Sequence, residues 1–201
     1  MNLDQPLLDA LTEFVGLGVG RAADVLNTML KSHIALSVPA IRVVTAEELE
    51  SALGLTSGSR LAAVEMGYSG GLKGSVELIF TASDASILVD CIAGSALYAD
   101  EDFDAIRSGT LAEVGNIVIN ALLGTLANVL RLELTYTVPA FIEGPLEELL
   151  AEADVTKGCV ILLARTRFEI EELRIEGDLA AFFSMGSFEN LKKAIEEYLG
   201  E

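Results

Sequence analysis

Glu113 and Asn116 stand three residues apart in SGTLAEVGNIVINALLGTLANVLRLELTYTVP, the stretch from Ser108 to Pro139. At about 100° per helical residue, Gly109, Glu113, Asn116 and Asn120 share one narrow arc, which Gly124 and Ala127 extend. Leu111, Val114, Val118, Leu122, Thr125 and Val129 take the opposite side. The apolar side is expected to face a sheet, leaving one carboxylate and one carboxamide above a shallow stripe of small residues. Such a stripe suits close approach by another protein. A carboxamide is neither a useful base nor a nucleophile, so the chemistry open to this pair is positioning rather than covalent attack. By itself, a Glu-x-x-Asn spacing is also what the solvated face of any amphipathic helix carries.

What lifts the pair above that background is its echo one hundred residues earlier. Leu8 to Pro39 reads LDALTEFVGLGVGRAADVLNTMLKSHIALSVP, and Leu11, Glu13, Leu26, Leu30, Pro39 and Ala40 match Leu111, Glu113, Leu126, Leu130, Pro139 and Ala140. Glu47-Glu48-Leu49 recurs as Glu147-Glu148-Leu149 at the same offset. The first copy's arc holds Asp9, Glu13, Gly16, Gly20 and Asp24, so glycine takes the asparagine position. The chain therefore reads as a duplication, one domain spanning 1–201 with half-repeats of about 1–98 and 99–201.

The elements that must position these residues follow from periodicity. Leu11, Phe14, Ala22, Val25 and Met29 recur at three- and four-residue steps, which predicts a helix over about Leu7 to Lys31. His33 to Thr45 alternates as a strand does, and Pro39 within it calls for an edge position or a bend, because proline cannot donate to a ladder. Thr45 with Glu48 forms a capping-box pattern for a short helix ending near Gly54. Two strands, about Arg60 to Gly67 and Leu72 to Thr81, flank Tyr68-Ser69-Gly70-Gly71 as a hairpin. Ser83 or Asp84 can cap a helix through about Ile92. The acidic run Asp100-Glu101-Asp102 precedes a long helix of about Asp102 to Arg131, where the helix dipole favours negative charge. The second half repeats the order: a strand with Leu132, Leu134 and Tyr136, a short helix, a hairpin of about Cys159–Phe168 and Leu173–Phe183, and a last helix from Gly186 to Tyr198. Consecutive hairpins predict an α/β (α+β layered) domain with a mainly antiparallel sheet, two long helices and pseudo-twofold symmetry.

Composition narrows the function classes. A net charge of −18 argues against nucleic acid or an anionic membrane surface as a partner. No basic leader precedes the first apolar residues, and no apolar run reaches the ~18 residues expected of a membrane span, so a cytoplasmic protein without membrane insertion is expected. Cys91 and Cys159 fall at non-equivalent places in the repeat and read as reduced core residues. His33 is the lone histidine, with no Cys or His near it to make a metal site. Gly16-Leu17-Gly18-Val19-Gly20 lies inside a helical pattern, not at the strand-to-helix turn of a phosphate loop. No serine sits in a Gly-x-Ser-x-Gly setting.

Glu113-x-x-Asn116 with Pro139 twenty-three residues on, and Asp9-x-x-x-Glu13-x-x-Gly16 with Pro39 at the same distance, resemble the motif of the CheC/CheX/FliY family of chemotaxis phosphatases. That motif reads Asp or Ser, three residues, Glu, two residues, Asn, then a distant Pro. Leu17-Gly18-Val19-Gly20-Arg21-Ala22 also looks like the family's Ile-Gly-x-Gly-x-Ala, and two motif copies are the arrangement of CheC. The resemblance implies a phosphatase acting on a phosphorylated CheY-like response regulator. Asn116 would hold a water in line with the aspartyl phosphate, and Glu113 would pair with a basic residue of the receiver. It implies no cofactor of the chain's own, since the receiver would bring Mg²⁺, and the deamidase CheD as a second candidate partner. Gly16 in place of Asn implies a first site without catalysis, where Asp9 and Glu13 would at most dock a partner. Gly109, where Asp or Ser is expected, is the second departure. The alternative is a non-catalytic module of the same fold, a flagellar-switch-like component or a CheD-binding regulator.

Overall fold

A computed structural model describes residues 3–30, 34–56, 58–93, 103–152, 159–170 and 173–200. Its elements run α1 (Gln5–Leu30), β1 (Ile34–Val44), α2 (Ala46–Leu53), β2 (Leu61–Gly70), β3 (Gly74–Thr81), α3 (Ala82–Ala93), α4 (Phe103–Val129), β4 (Leu134–Tyr136), β5 (Ala140–Gly144), α5 (Leu146–Glu152), β6 (Val160–Ile170), β7 (Leu173–Phe183) and α6 (Met185–Leu199). His33 and the acidic run Asp100-Glu101-Asp102 lie outside the described residues.

All strand pairings are antiparallel, in the order β1-β6-β7-β3-β2, with β4 and β5 both against β2. The mixed α/β fold with its antiparallel sheet is the one the repeat predicts. Its connectivity shows how the halves interlock: the first strand of each half pairs with the hairpin of the other, β1 on β6 and β5 on β2. The two hairpins meet along β3 and β7, where Leu78 opposes Leu179. Neither hairpin has its neighbouring strand without the other half.

Strand alternation sends one set of side chains to each face. Val64, Met66, Val76, Leu78, Phe168 and Leu179 pack with Leu11, Phe14, Val19, Leu111, Val114 and Val118 under α1 and α4. Leu61, Ala63, Ile79, Ile161 and Leu163 pack on the other face with Leu49 of α2 and Leu149 of α5. By length and composition α4 could cross a membrane, contrary to the expectation that no apolar stretch reaches that length. Half of its most apolar window is buried, and Leu111, Val114 and Val118 are part of the core.

Prolines and caps set the details. β1 is an edge strand whose register on β6 slips between Ser37 and Ala40, around Pro39. In the second half the corresponding strand breaks outright into β4 and β5, on either side of Pro139. Thr45 N–H donates to Glu48 Oε2 at 3.0 Å, the capping box of α2. The cap of α3 is Thr81 rather than Ser83 or Asp84: Thr81 Oγ1 accepts from Asp84 N–H at 3.1 Å and donates to Asp84 Oδ2 at 2.7 Å. The earlier threonine wins because its side chain lies three residues before a free first-turn amide. In α1, Val25 and Met29 are 50% and 46% exposed, so the core stripe turns away from them after Ala22 and Leu26.

Candidate functional site

The α4 helix rides on β2 through a glycine. A Cβ at Gly115 would come within 2.4 Å of Val64 Cβ, so this turn of α4 lies close on the sheet. Gly115 sits between Glu113 and Asn116, and Val114 and Val118 are buried beside it. The face carrying Glu113 and Asn116 is thereby turned outward: Glu113 is exposed, and Asn116 and Asn120 are half-buried. Leu111, Val114, Val118, Leu122 and Thr125 are buried as the spacing predicts. Val129 is half-buried.

The α1 helix packs against α4 through a second glycine, Gly18, whose Cβ would meet Leu122 Cα at 2.8 Å. Arg21 Nη1 also crosses between the helices to donate to the buried Thr125 Oγ1 at 3.1 Å. At the far end of α1, Asn27 brackets Ile34, donating from Nδ2 to its carbonyl at 3.0 Å and accepting its N–H on Oδ1. The two sibling faces are thus carried by paired helices on one side of the sheet.

Asn116 does not hang free. Asn120 Nδ2 donates to its Oδ1 at 2.6 Å and to its main-chain carbonyl at 2.9 Å. This contact was legible as an i, i+4 pair of polar residues on the same arc, although periodicity alone does not say which atoms meet. On α1, Asp9, Glu13, Gly16, Gly20 and Asp24 are all exposed, and Asp9 Oδ1 accepts from Gln5 Nε2 at 2.7 Å.

The two departures from the motif are not imposed by packing. A Cβ at Gly16 or at Gly109 would meet nothing within 4 Å. The carboxamide at position 16 and the Asp or Ser at position 109 are missing by sequence, not for want of room.

Near the start of α4, Arg107 donates to Glu143 Oε2, and Arg60 lies 3.9 Å from the same carboxylate. These residues border an open groove of about 560 Å³ with Asp104, Ser108 and Phe141. Both guanidinium groups of the groove thus lie on the one Glu143 carboxylate. Among the described residues no group of three His, Cys, Asp or Glu is placed to hold a metal ion. Cys91 and Cys159 are half-buried rather than deep in the core.

A different carboxyl group is perturbed on the opposite face of the sheet. Glu77 is fully buried, its two carboxyl oxygens have no hydrogen-bond partner, and it lies directly across from Glu65 on β2. Burial first, and then the Glu65 charge, push its pKa up to about 8. The pseudo-equivalent cross-strand pair in the second half is Arg165 opposite Asp178, joined at 3.3 Å. Nothing in the sequence reading singled out Glu77; the signal was glutamate within an otherwise apolar strand, GSVELIFT.

No family model matches the chain. It is 28% identical over 140 residues to the CheY-P phosphatase CheC of Bacillus subtilis, covering 69% of this chain and 66% of CheC. It is 24% identical over 139 residues to the flagellar motor switch phosphatase FliY of the same organism, covering 69% of this chain and 36% of FliY. The chain therefore spans just under two thirds of one of these relatives and about a third of the other. Among solved structures, Thermotoga maritima FliY superposes with a TM-score of 0.75 at 20% identity, over 100% of this chain and 98% of that one. FliM in the FliG–FliM complex from H. pylori gives 0.67 at 14% identity, over 95% and 100% of the two chains. The CheX–CheY–BeF3–Mg complex from Borrelia burgdorferi gives 0.53 at 19%, over 86% and 99%. With its paired motif helices and interlocked half-repeats, the chain shares the fold of FliY, FliM and CheX and is similar in sequence to CheC and FliY.

Proposed function

We propose that this chain dephosphorylates a phospho-aspartyl, CheY-like receiver, with Glu113 and Asn116 of α4 as the working pair. The observation that carries this reading is the geometry of Asn116, a carboxamide anchored on a helix whose adjacent turn is pinned to the sheet by Gly115 and Val64. Phosphoryl transfer asks a protein mainly for positioning and charge stabilisation, and a neutral carboxamide can hold a water without competing as a nucleophile. The water oxygen bonds to phosphorus as the bond from phosphorus to the aspartyl oxygen breaks. That electron pair stays on the carboxylate, and the water's protons leave with phosphate and solvent. Glu113, exposed one turn before, is placed to pair with a cation on the receiver and so to set the partner's register.

The relatives named as CheY-P phosphatases and the CheX–CheY complex support a receiver as the partner. The receiver would supply the Mg²⁺, which suits the donor set around Asn116, two amides and one exposed carboxylate. Gly16 leaves the α1 face without a counterpart of Asn116, so Asp9 and Glu13 serve there, at most, as docking residues for a partner such as CheD.

A second reading is a binding module of the same fold that meets its partner without hydrolysis. The glycines at 16 and 109 favour it, because both faces then lack part of the motif, and a FliG–FliM complex exists for a protein of this fold. Phosphate release from a phosphorylated CheY-like receiver, measured with the native chain, Asn116→Ala and Glu113→Ala, separates the two. The native chain is expected to accelerate release, with Asn116→Ala losing most of the acceleration. Co-elution without acceleration supports the binding module, and an unchanged rate in Asn116→Ala refutes the assignment.

A further inference from the structure

We propose that Asn120 is a positioning residue for this site, holding the Asn116 carboxamide with its oxygen turned inward and its NH₂ presented to the partner; this rests on the reading of Asn116 just given. Carboxamide orientation is usually ambiguous, since oxygen and nitrogen can exchange places. Here the main chain removes the ambiguity. One terminal atom of Asn120 lies 2.9 Å from the main-chain oxygen of Asn116, which can only accept, so that atom must be the donor Nδ2. The same nitrogen lies 2.6 Å from the side-chain atom of Asn116, which must therefore be the acceptor Oδ1. Both amides are fixed by one helical carbonyl.

The consequence is chemical as well as geometric. With Oδ1 engaged by Asn120, the group left free at Asn116 is its NH₂. An N–H donated to a water oxygen occupies one lone pair and leaves the other for in-line attack, while both water protons stay free for acceptors on the receiver. The rotamer is also fixed before any partner arrives, which removes an ordering cost from the encounter. The α1 helix is consistent with a functional couple: glycine stands at 16 and at 20, so both members are missing together.

The test compares Asn120→Asp, Asn120→Ala and Asn116→Ala for kcat, KM and melting temperature, with a phosphorylated CheY-like receiver as substrate. Asn120→Asp keeps the size of the side chain but offers only acceptors, so it repels Oδ1 and draws the Asn116 NH₂ inward. Its kcat is expected to fall by about ten- to a hundredfold with KM unchanged. Asn120→Ala, which releases Asn116 without turning it, should fall between that variant and the native chain. A purely structural role predicts another order, because alanine favours the helix and would cost nothing. Native kcat in Asn120→Asp, or a loss confined to KM, overturns the proposal while leaving Asn116 assigned if Asn116→Ala is inactive. Native activity in Asn116→Ala overturns both.

Discussion

Replacing Glu77 by glutamine should make the protein more stable at neutral pH, and by an amount that grows with pH. The carboxyl group is fully buried, has no hydrogen-bond partner, and faces Glu65 across the β2–β3 ladder. Its pKa is about 8 in the folded protein against 4.5 for the free side chain. Between these values the native state keeps a proton that the unfolded chain has released, so stability falls as pH rises through that window. At about 1.4 kcal/mol per unit, the loss approaches 5 kcal/mol by pH 8, of which roughly 3 kcal/mol has accrued by pH 7. Glutamine carries no proton to lose. Its own unmet hydrogen bonds add an offset that does not change with pH. Urea unfolding from pH 5 to 9 is therefore expected to give native and Glu77→Gln curves that diverge by about 3 kcal/mol up to pH 7 and level off to parallel towards pH 9. Glu65→Gln, which removes the second cause of the shift, should end the divergence at a lower pH and make it smaller. Parallel curves throughout would refute the argument, since they would mean that Glu77 titrates alike in both states.

Two further expectations concern the site. Gly115→Ala puts a Cβ within 2.4 Å of the β-branched Val64 and should cost about 1–3 kcal/mol in unfolding free energy, with a fall in kcat as α4 lifts from β2; equal stability would show that α4 does not lie so close. At Gly16 and Gly20 there is open space, so Gly16→Asn with Gly20→Asn should restore phosphatase activity to Asn116→Ala, and Gly16→Asn alone should restore less. Equal recovery by the single and double variants would deny the role given to residue 120 and its sibling.

Most of the architecture was legible because the same signals occur twice. The alternation of residues 34–44 and the turn residues around Gly70 are local, and local patterns set element type. Sheet order is not local. That β1 leaves its own hairpin to pair with β6 depends on where two halves dock, which periodicity cannot express. The break of one strand into β4 and β5 was half legible: Pro139 marks the place, yet its sibling Pro39 produces only a register slip. At the site, the arc of Glu113, Asn116 and Asn120 came directly from helical geometry. What the sequence could not supply was the atom-level contact from Asn120, or the distinction between Gly18 and Gly115, which sit under close packing, and Gly16, Gly20 and Gly109, which face open space.

That distinction explains how two halves of one duplication can keep a fold while parting in chemistry. Where a glycine admits a neighbour's backbone or a valine, replacing it moves a helix, so such positions are held by packing. Where it faces open space, any small or polar residue folds equally well, and only a partner can select among them. Gly16 against Asn116 and Gly20 against Asn120 belong to the second kind. Glu77, buried, against Asp178, half-buried, is an exception, a position on the sheet face covered by α2 and α5 at which the halves differ in charge balance. Burial raises the pKa of Asp178 as well, but Arg165 opposes the shift there, whereas Glu65 adds to it at Glu77. Core differences of that sort register in stability against pH, and open-face differences register in turnover. The Glu77 and Asn120 variants should therefore act independently, each moving one readout and leaving the other where it was.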